Sequence, residues 1–559
     1  MARPTRSRIS SNAETDSPAG PYRALKQVGL VLLCVAWAVL GAVGHDPWKT
    51  EDATAIAVAW EMLQSGAVLA PTLAGEPYLG NPPLIHALAA LSGWLFSGLL
   101  AVHDAVRLAT SLLLGLTLLA LAGAGEEYNG RRTRWLPVLL FIGCLGLWDR
   151  VHQLSPELGL LVGTAGFLYG LALSSRRPLT GGAIAGAAMA FAFLAHGLLG
   201  PFWMAITLAL LPTAFARYRS RTYARLTAVA VVVATLAAGT WPLALYFSAP
   251  DHLAAWWALQ VPPRFWSAIG SDPLALAKNL PWFGWPALPL VLWTLWTRGR
   301  GFNGGLAVPG IEIPGTLALV IIVSLTLAPE PRAILAMPLL LPLALLAAME
   351  IDTLKRGFSA ALDWFGILTF GLFAALVWWI WIDARVQGMS PTIAHLFRDI
   401  EVGYQPRVQW GALAVSVFLT ALWITLVRPA RRSNRRAVLN WAAGMTLIWG
   451  LYSTIWLPYL DSRRSYRSVA DSLALQLPAK GCVASRNLGE PQRALFRYFL
   501  KLSTVREEVS PVHDCDAVLL QYGRIDRLPD APEGWYAAWE GRRRGDDTER
   551  FVLYRKVKP

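Results

Sequence analysis

Charge is what this chain has least of. Asp, Glu, Lys and Arg make up 15% of its 559 residues against 55% hydrophobic, and mean hydropathy is +0.42. Soluble domains carry about 25% charged residues, so a water-soluble globule is excluded and a bilayer is the expected solvent. Cysteine is nearly as scarce. Cys34 and Cys144 sit in apolar runs, whereas Cys482 and Cys515 lie in the polar C-terminal part, and none has metal-ligand spacing. Cys482 and Cys515 could form a disulfide in an oxidising compartment, with two free thiols as the alternative. The first 22 residues lack the apolar core of a signal peptide and read as a polar, disordered cytoplasmic tail.

The net charge of +14 does not indicate nucleic acid, because the basic residues fall in short clusters between apolar runs rather than on one face. Many of the 26 Trp residues, including Trp148, Trp203, Trp241, Trp282, Trp285, Trp410 and Trp456, stand near the ends of those runs, where an interfacial ring is most stable.

Runs of spanning length occur near 25–44, 82–101, 104–124, 135–149, 157–173, 181–198 and 200–215. They continue near 225–248, 280–297, 310–328, 331–352, 362–383, 409–427 and 437–458, fourteen in all. Arg3, Arg6, Arg8, Arg23 and Lys26 hold the N-terminus inside, so the segment from His45 is external. If 82–101 crossed, the basic clusters at 131–134, 174–177, 216–220, 298–301 and 428–436 would all be external, against the positive-inside rule. A surface or re-entrant 82–101 makes every one cytoplasmic. Pro82, Pro83, His86, Ser92 and Gly93 suit that placement. Thirteen spans are therefore expected, with the N-terminus cytoplasmic and the C-terminus external. The expected division is a membrane domain over 23–459, with its first loop at 45–103, and a small external α/β domain over 460–559.

The first loop carries His45, Asp46, Glu51, Asp52, Glu61 and Glu76. Thr50 could cap a helix whose first turn holds Glu51 and Asp52, against the positive end of the dipole. Ala55, Ile56, Val58, Ala59, Met62 and Leu63 give that helix an apolar face for lying on the membrane. His152 and Glu157, His196, Arg264 and Arg332 come to the same external face from four other segments. Cations and carboxylates gathered at one membrane face suit a phosphate-bearing substrate, the cations binding phosphate and a carboxylate taking the acceptor proton. External carboxylates could also hold a divalent ion, but no ligand set compels one.

The segment EDATAIAVAWEML, followed by PTLAGEPYLGNPPL, resembles the first external loop of the polytopic GT-C glycosyltransferases. It is most similar to the aminoarabinose transferases and the dolichyl-phosphate-mannose-protein mannosyltransferase group. The resemblance extends through AVRLATSLLLGLTLLAL, WDRVHQLSPELGLLVGTAGFLYGLAL, GGAIAGAAMAFAFLAHGLLGP and PRAILAMPLLLPLALLA. It implies an all-α GT-C membrane fold of thirteen spans. It also implies an inverting transferase that moves a sugar from undecaprenyl phosphate to a periplasm-facing envelope acceptor such as lipid A, another glycan or a protein, in the bacterial inner membrane.

On that reading Glu51, Asp52 and Glu157 are catalytic candidates, and Arg264, Arg332 and His196 bind donor phosphate. His152, Tyr78, Asn81 and His86 complete the substrate-binding set, and the chain is expected to act as a monomer. The pattern departs from the family at several positions: Glu51-Asp52 stands for Asp-Glu, Gly80-Asn81 for Glu-Lys, Glu157 for Asp, His196 for Lys and Leu335 for Tyr. Those departures leave two alternatives, a catalytically weak or inactive relative that serves as a partner protein, and a lipid or sugar transporter.

Overall fold

The computed structural model describes residues 21–260, 275–328, 333–386, 388, 406–427, 433–478, 481–511, 514–523, 531, 533–543, 546 and 548–557. The expected N-terminal tail falls outside them, apart from residues 21 and 22, which open the first helix. The chain begins with α1 (Pro21–Val39), α2 (Glu51–Ser65), the two-stranded ribbon β1 (Thr72–Leu73) and β2 (Glu76–Pro77), α3 (Leu84–Phe96) and α4 (Val102–Asn129). It continues through α5 (Leu136–Ile142), α6 (Glu157–Leu173), α7 (Pro178–His196), α8 (Leu199–Ala214), α9 (Arg221–Ser248), α10 (Pro250–Gln260), α11 (Ala275–Phe283) and α12 (Ala287–Gly299). α13 (Pro309–Leu327), α14 (Leu340–Ala348), α15 (Arg356–Val386), α16 (Trp410–Val427) and α17 (Asn434–Tyr452) complete the helical bundle.

Among the described residues six helices are long and apolar enough to cross a membrane: α4, α7, α9, α13, α15 and α16. Several expected spans are interrupted. The run at 135–149 ends as α5 at Ile142, where the Leu145 N–H bonds the Trp285 carbonyl at 3.0 Å instead of its own helix. The run at 280–297 is split between α11 and α12 just before Pro286, which has no N–H to continue a helix. The run at 331–352 opens as 3-10 turns over Ala333–Leu339 before α14. α3 has 13 residues, about 20 Å at 1.5 Å per residue, too short for the ~30 Å hydrocarbon core. Its Leu91, Trp94 and Leu95 are exposed, as on a helix at a membrane surface.

Small residues set the spacing of α6, α7 and α9. A Cβ at Gly170 would lie 2.7 Å from the Ala185 nitrogen, and one at Gly186 would lie 2.4 Å from the Ala230 carbonyl. Lipid supplies no hydrophobic drive between helices, so such close backbone approach is what holds them together.

After α17 come α18 (Leu457–Arg464), α19 (Arg467–Ala474), β3 (Val483–Arg486), α20 (Glu490–Leu500), β4 (Thr504–Arg506), β5 (Ala517–Gly523), β6 (Trp535–Gly541) and β7 (Glu549–Lys556). The sheet order is β4-β3-β5-β7-β6, with β3 parallel to β4 and β5, and β7 antiparallel to β5 and β6. Cys482 and Cys515 form a disulfide that ties the entries to the neighbouring strands β3 and β5.

The small domain sits on the first loop. Ala53 of α2 is buried with Tyr466, Leu495, Phe496 and Phe551 of that domain. α2 was expected to lie on the membrane. It is instead enclosed, Ala53 through Ala59 all buried between α3 and α4 on one side and α20 on the other.

Candidate active site

The head of α2 is built by ion pairing rather than by a threonine cap. Thr50 makes no side-chain cap bond. Asp52, 0% exposed, accepts from Arg107 Nε at 3.2 Å and Nη2 at 3.0 Å, and from the backbone N–H groups of Trp48 at 3.2 Å and Leu154 at 3.1 Å. Arg107, equally buried, also donates to Asp104 and to the carbonyls of His45 and Asp46. Burial pushes the Asp52 carboxyl up, but the Arg107 charge and hydrogen bonds outweigh it and hold the group below the ordinary carboxylate range. Every lone-pair direction of Asp52 is thereby engaged. Glu51, one residue earlier at the same helix head, is half-buried.

Arg107 is the residue that sequence reasoning passed over. Its signal was an arginine within an apolar run, three residues after Asp104. The Leu154 bond to Asp52 also ties the segment just before α6 to the α2 head.

A second group forms around Glu157. The carboxylate is buried, with Oε1 3.8 Å from His196 Nε2, while Oε2, His196 Nδ1 and both ring nitrogens of the fully buried His86 have no hydrogen-bond partner among the described residues. Buried polar atoms are nearly always paired, so a concentration of unpaired ones points to a ligand. Gly159 makes the gathering feasible. A Cβ there would sit 2.1 Å from Ala195 Cβ and 3.2 Å from Ile85 Cδ1, the neighbours in sequence of His196 and His86. Tyr78 packs edge-on to His86 with ring centroids 5.2 Å apart, and Asn81 Nδ2 donates to the Tyr78 hydroxyl at 3.2 Å. A Cβ at Gly80 would meet that hydroxyl at 2.7 Å, so the Tyr78 ring takes the space a side chain at position 80 would need.

The other expected site residues divide. His152 is turned into the core: its ring nitrogens face the carbonyls of Trp148 and Trp37 at 3.1 and 2.8 Å, and the ring stacks on Trp449 at 4.0 Å. Arg264 and Arg332 lie outside the described residues. Leu335 packs against the apolar core. A cavity of about 390 Å³ at Arg150 is lined mainly by apolar residues, Leu276, Phe283, Leu325 and Ala336 among them, together with Asn279. Among the described residues no three His, Cys, Asp or Glu side chains gather as a metal site.

The remaining loop carboxylates bind the C-terminal domain. Asp46 pairs with Arg467, whose Nε lies 2.9 Å from Oδ2, and accepts from Ser465 at 2.6 Å. Glu61 pairs with Arg497 at 2.9 Å, Glu76 with Arg493 at 2.8 Å and Arg506 at 3.3 Å, and Lys49 with Glu549. Asp461 accepts from the Asp46 N–H at 3.0 Å and Trp48 Nε1 at 2.9 Å. Burial, with Asp46 nearby, pushes its carboxyl up to about 6.

No protein-family model matches the chain. It is 28% identical over 340 residues to an undecaprenyl phosphate-alpha-4-amino-4-deoxy-L-arabinose arabinosyl transferase of Pseudomonas fluorescens, covering 58% of this chain and 57% of that protein. A transferase of the same description from Pseudomonas savastanoi is 26% identical over 414 residues, 69% of this chain and 74% of its own. The chain thus spans little more than half the length of the first of these relatives. The crystal structure of ArnT from Cupriavidus metallidurans bound to undecaprenyl phosphate superposes with a TM-score of 0.68 at 17% identity, covering 96% of this chain and 98% of that one. The all-α GT-C-type fold with a small C-terminal sheet domain, expected from the sequence, is therefore the fold observed, and the chain is a multi-pass membrane protein.

Proposed function

We propose that this chain transfers a sugar from an undecaprenyl-phosphate carrier to an acceptor at the periplasmic face of the bacterial inner membrane. The observation that carries the reading is the buried group of Glu157, His86 and His196, whose polar atoms lack partners among the described residues, at the start of a helix whose preceding segment bonds Asp52 through Leu154. The cavity at Arg150 has the matching chemistry, apolar walls for a prenyl chain and a guanidinium for its phosphate. The named relatives act with an undecaprenyl-phosphate-linked aminoarabinose, which makes that the first donor to try and lipid A the first acceptor. The positive-inside pattern of the N-terminus and of the basic clusters at 131–134, 174–177 and 216–220 supports a site that faces outward.

In this mechanism an acceptor oxygen attacks the anomeric carbon while the bond from that carbon to the phosphate oxygen breaks. Undecaprenyl phosphate leaves with the electron pair. Glu51 takes the proton of a hydroxyl acceptor, and Glu157 with His196 orients the acceptor or the sugar. Arg150 stabilises the leaving phosphate, joined by Arg264 and Arg332. Asp52 acts only by fixing the helix that carries Glu51. A catalytically weak relative is the second reading. It is favoured by the apolar packing of Leu335 and by the Tyr78 ring beside Gly80, at two positions where the resembled family has polar side chains.

The test is reconstitution in proteoliposomes with undecaprenyl-phosphate-linked 4-amino-4-deoxy-L-arabinose and lipid A, followed by mass spectrometry of the lipids. Transfer by the wild type, reduced at least about 100-fold in Glu51→Gln as for loss of a general base, supports the proposal. No transfer by a well-folded wild type supports the second reading, and unchanged transfer in Glu51→Gln removes Glu51 from the mechanism.

A further inference from the structure

A cleft of about 630 Å³ lies between α1, α16 and α17, and none of its lining residues belongs to the helices of the candidate active site. α1 and α16 are its walls, with Leu32 and Val35 on one side and Phe418 and Leu422 on the other, and α17 is its floor, with Ala443 and Leu447. Those four wall residues are 43% to 64% exposed, so the cleft has apolar surface to give. One end is closed. A Cβ at Gly450 would lie 2.4 Å from Leu419 Cδ1 and 3.3 Å from Leu40 Cδ1, so the two walls meet there over the floor. From Phe418, beside this stop, to Leu426 at the other end is eight residues or about 12 Å, close to the ~15 Å of half a bilayer's hydrocarbon core. The cleft therefore fits a chain confined to one leaflet, whereas a partner's transmembrane helix needs a track of about 30 Å.

The open end is cationic. Arg436, in the first turn of α17, donates from Nη2 to the carbonyl of Leu426 at 3.0 Å, which places its guanidinium at the mouth. Residues 428–436 hold five arginines and no acid. Asp352 pairs with Arg435 at 2.6 Å and Asp363 accepts from Asn440 at 2.7 Å, two carboxylates against those five arginines. Trp423 lines the cleft three residues, about 4.5 Å, deeper than Leu426. It is 9% exposed, and its Nε1 has no hydrogen-bond partner among the described residues. A buried indole N–H ordinarily has one.

We infer that the cleft binds one anionic glycerophospholipid, its phosphodiester on Arg436, an ester carbonyl accepting from Trp423 Nε1, and one acyl chain running from Leu426 to the stop at Gly450. Phosphodiester, ester carbonyl and acyl chain follow one another along such a lipid in the order that cation, indole and apolar wall follow one another along the cleft. A free phosphate would leave the indole and the walls uncovered. The positive-inside pattern supports the cytoplasmic leaflet as the source of the lipid. The inference does not depend on the catalytic reading.

The test uses the full chain purified in neutral detergent, with native mass spectrometry counting the lipid retained after addition of phosphatidylglycerol, its diether analogue or phosphatidylcholine. One phosphatidylglycerol per chain is expected, held about fivefold tighter than phosphatidylcholine, the effect of one cation near the headgroup. Arg436→Gln is expected to remove that preference, and Trp423→Phe to remove the preference for the ester lipid over the diether one. Each readout is a ratio within one variant, so it stands apart from any loss of stability. Gly29→Leu tests the cleft itself. Gly29 lines it and a Cβ there meets nothing within 4 Å, so the larger side chain fills the cleft without disturbing the helices and should abolish retention. Arg131→Gln, an exposed arginine of another basic cluster, is the control and leaves retention as it was. Equal retention of phosphatidylglycerol and phosphatidylcholine by the wild type, or full retention in Gly29→Leu, overturns the inference. A dimer that Gly29→Leu dissociates while lipid stays bound assigns the cleft to a second copy of the chain and overturns it as well.

Discussion

Replacing Arg107 with Met tests whether Asp52 is a structural clamp rather than a catalytic acid. The change leaves the fully buried Asp52 carboxylate with two backbone donors instead of four, at Trp48 and Leu154, and strips a donor from Asp104 and from the carbonyls of His45 and Asp46. Breaking a buried ion pair from one side costs about 3–5 kcal/mol, because the remaining charge is uncompensated. Asp52→Asn should cost a comparable amount by stranding Arg107. The double variant Asp52→Asn/Arg107→Met should recover about 2 kcal/mol relative to the sum of the singles, since it removes both charges together. Unfolding by SDS or urea in mixed micelles, followed by tryptophan fluorescence, reads all three. The depressed Asp52 carboxyl gives a sign for pH. Its contribution is complete above the unfolded carboxyl range near 3.9 and is lost only as pH falls through the lower folded value, so stability from this pair should be flat between pH 7 and 5. If Asp52→Asn unfolds as the wild type does while sugar transfer disappears, the clamp reading is wrong and Asp52 belongs to the chemistry.

Asp461 has the opposite sign, because its carboxyl is raised to about 6, so its contribution favours the fold at low pH and fades as pH rises through that value. Asp461→Asn keeps an oxygen for both N–H donors and should gain thermal stability relative to wild type between pH 4.5 and 7; a constant difference across that range contradicts the assignment. Reducing the Cys482–Cys515 bond, which spans 33 residues, should destabilise the C-terminal domain by about 3–4 kcal/mol, read as faster proteolysis of residues 460–559 in the Cys515→Ser variant. Gly159→Ala drives a methyl to 2.1 Å from Ala195 Cβ and should cost about 1–3 kcal/mol by parting α6 from α7; a variant with wild-type stability and transfer would show that this contact does not hold the Glu157 group together.

Much of the fold could be read because its signals are local. Apolar runs of bilayer length marked α4, α7, α9, α13, α15 and α16, and the charge clusters argued for a non-crossing segment where the short α3 is found. The broken helices were not legible, since the stop after α5 depends on a hydrogen bond to Trp285, distant in sequence. β4, β6 and α20 were missed as well. β4 is three residues long, and α20 has polar positions that make sense only once Arg493 and Arg497 meet Glu76 and Glu61. The site was half legible. Tyr78, Asn81, His86, Glu157 and His196 do come together, but Asp52 and His152 were counted by residue type, and residue type does not tell a reactive carboxylate or imidazole from one consumed by Arg107 or by two carbonyls.

The ion pairs between the first loop and the C-terminal domain impose an order on the making of this protein. Asp46 meets Arg467 across 421 residues of chain, and Glu61 meets Arg497 across 436. The ribosome must finish, and the last helix must be inserted, before the segment carrying Glu51 can take its final position. A nascent or truncated chain therefore displays a membrane bundle whose first loop lacks the cations that hold Asp46 and Glu61 in the finished molecule.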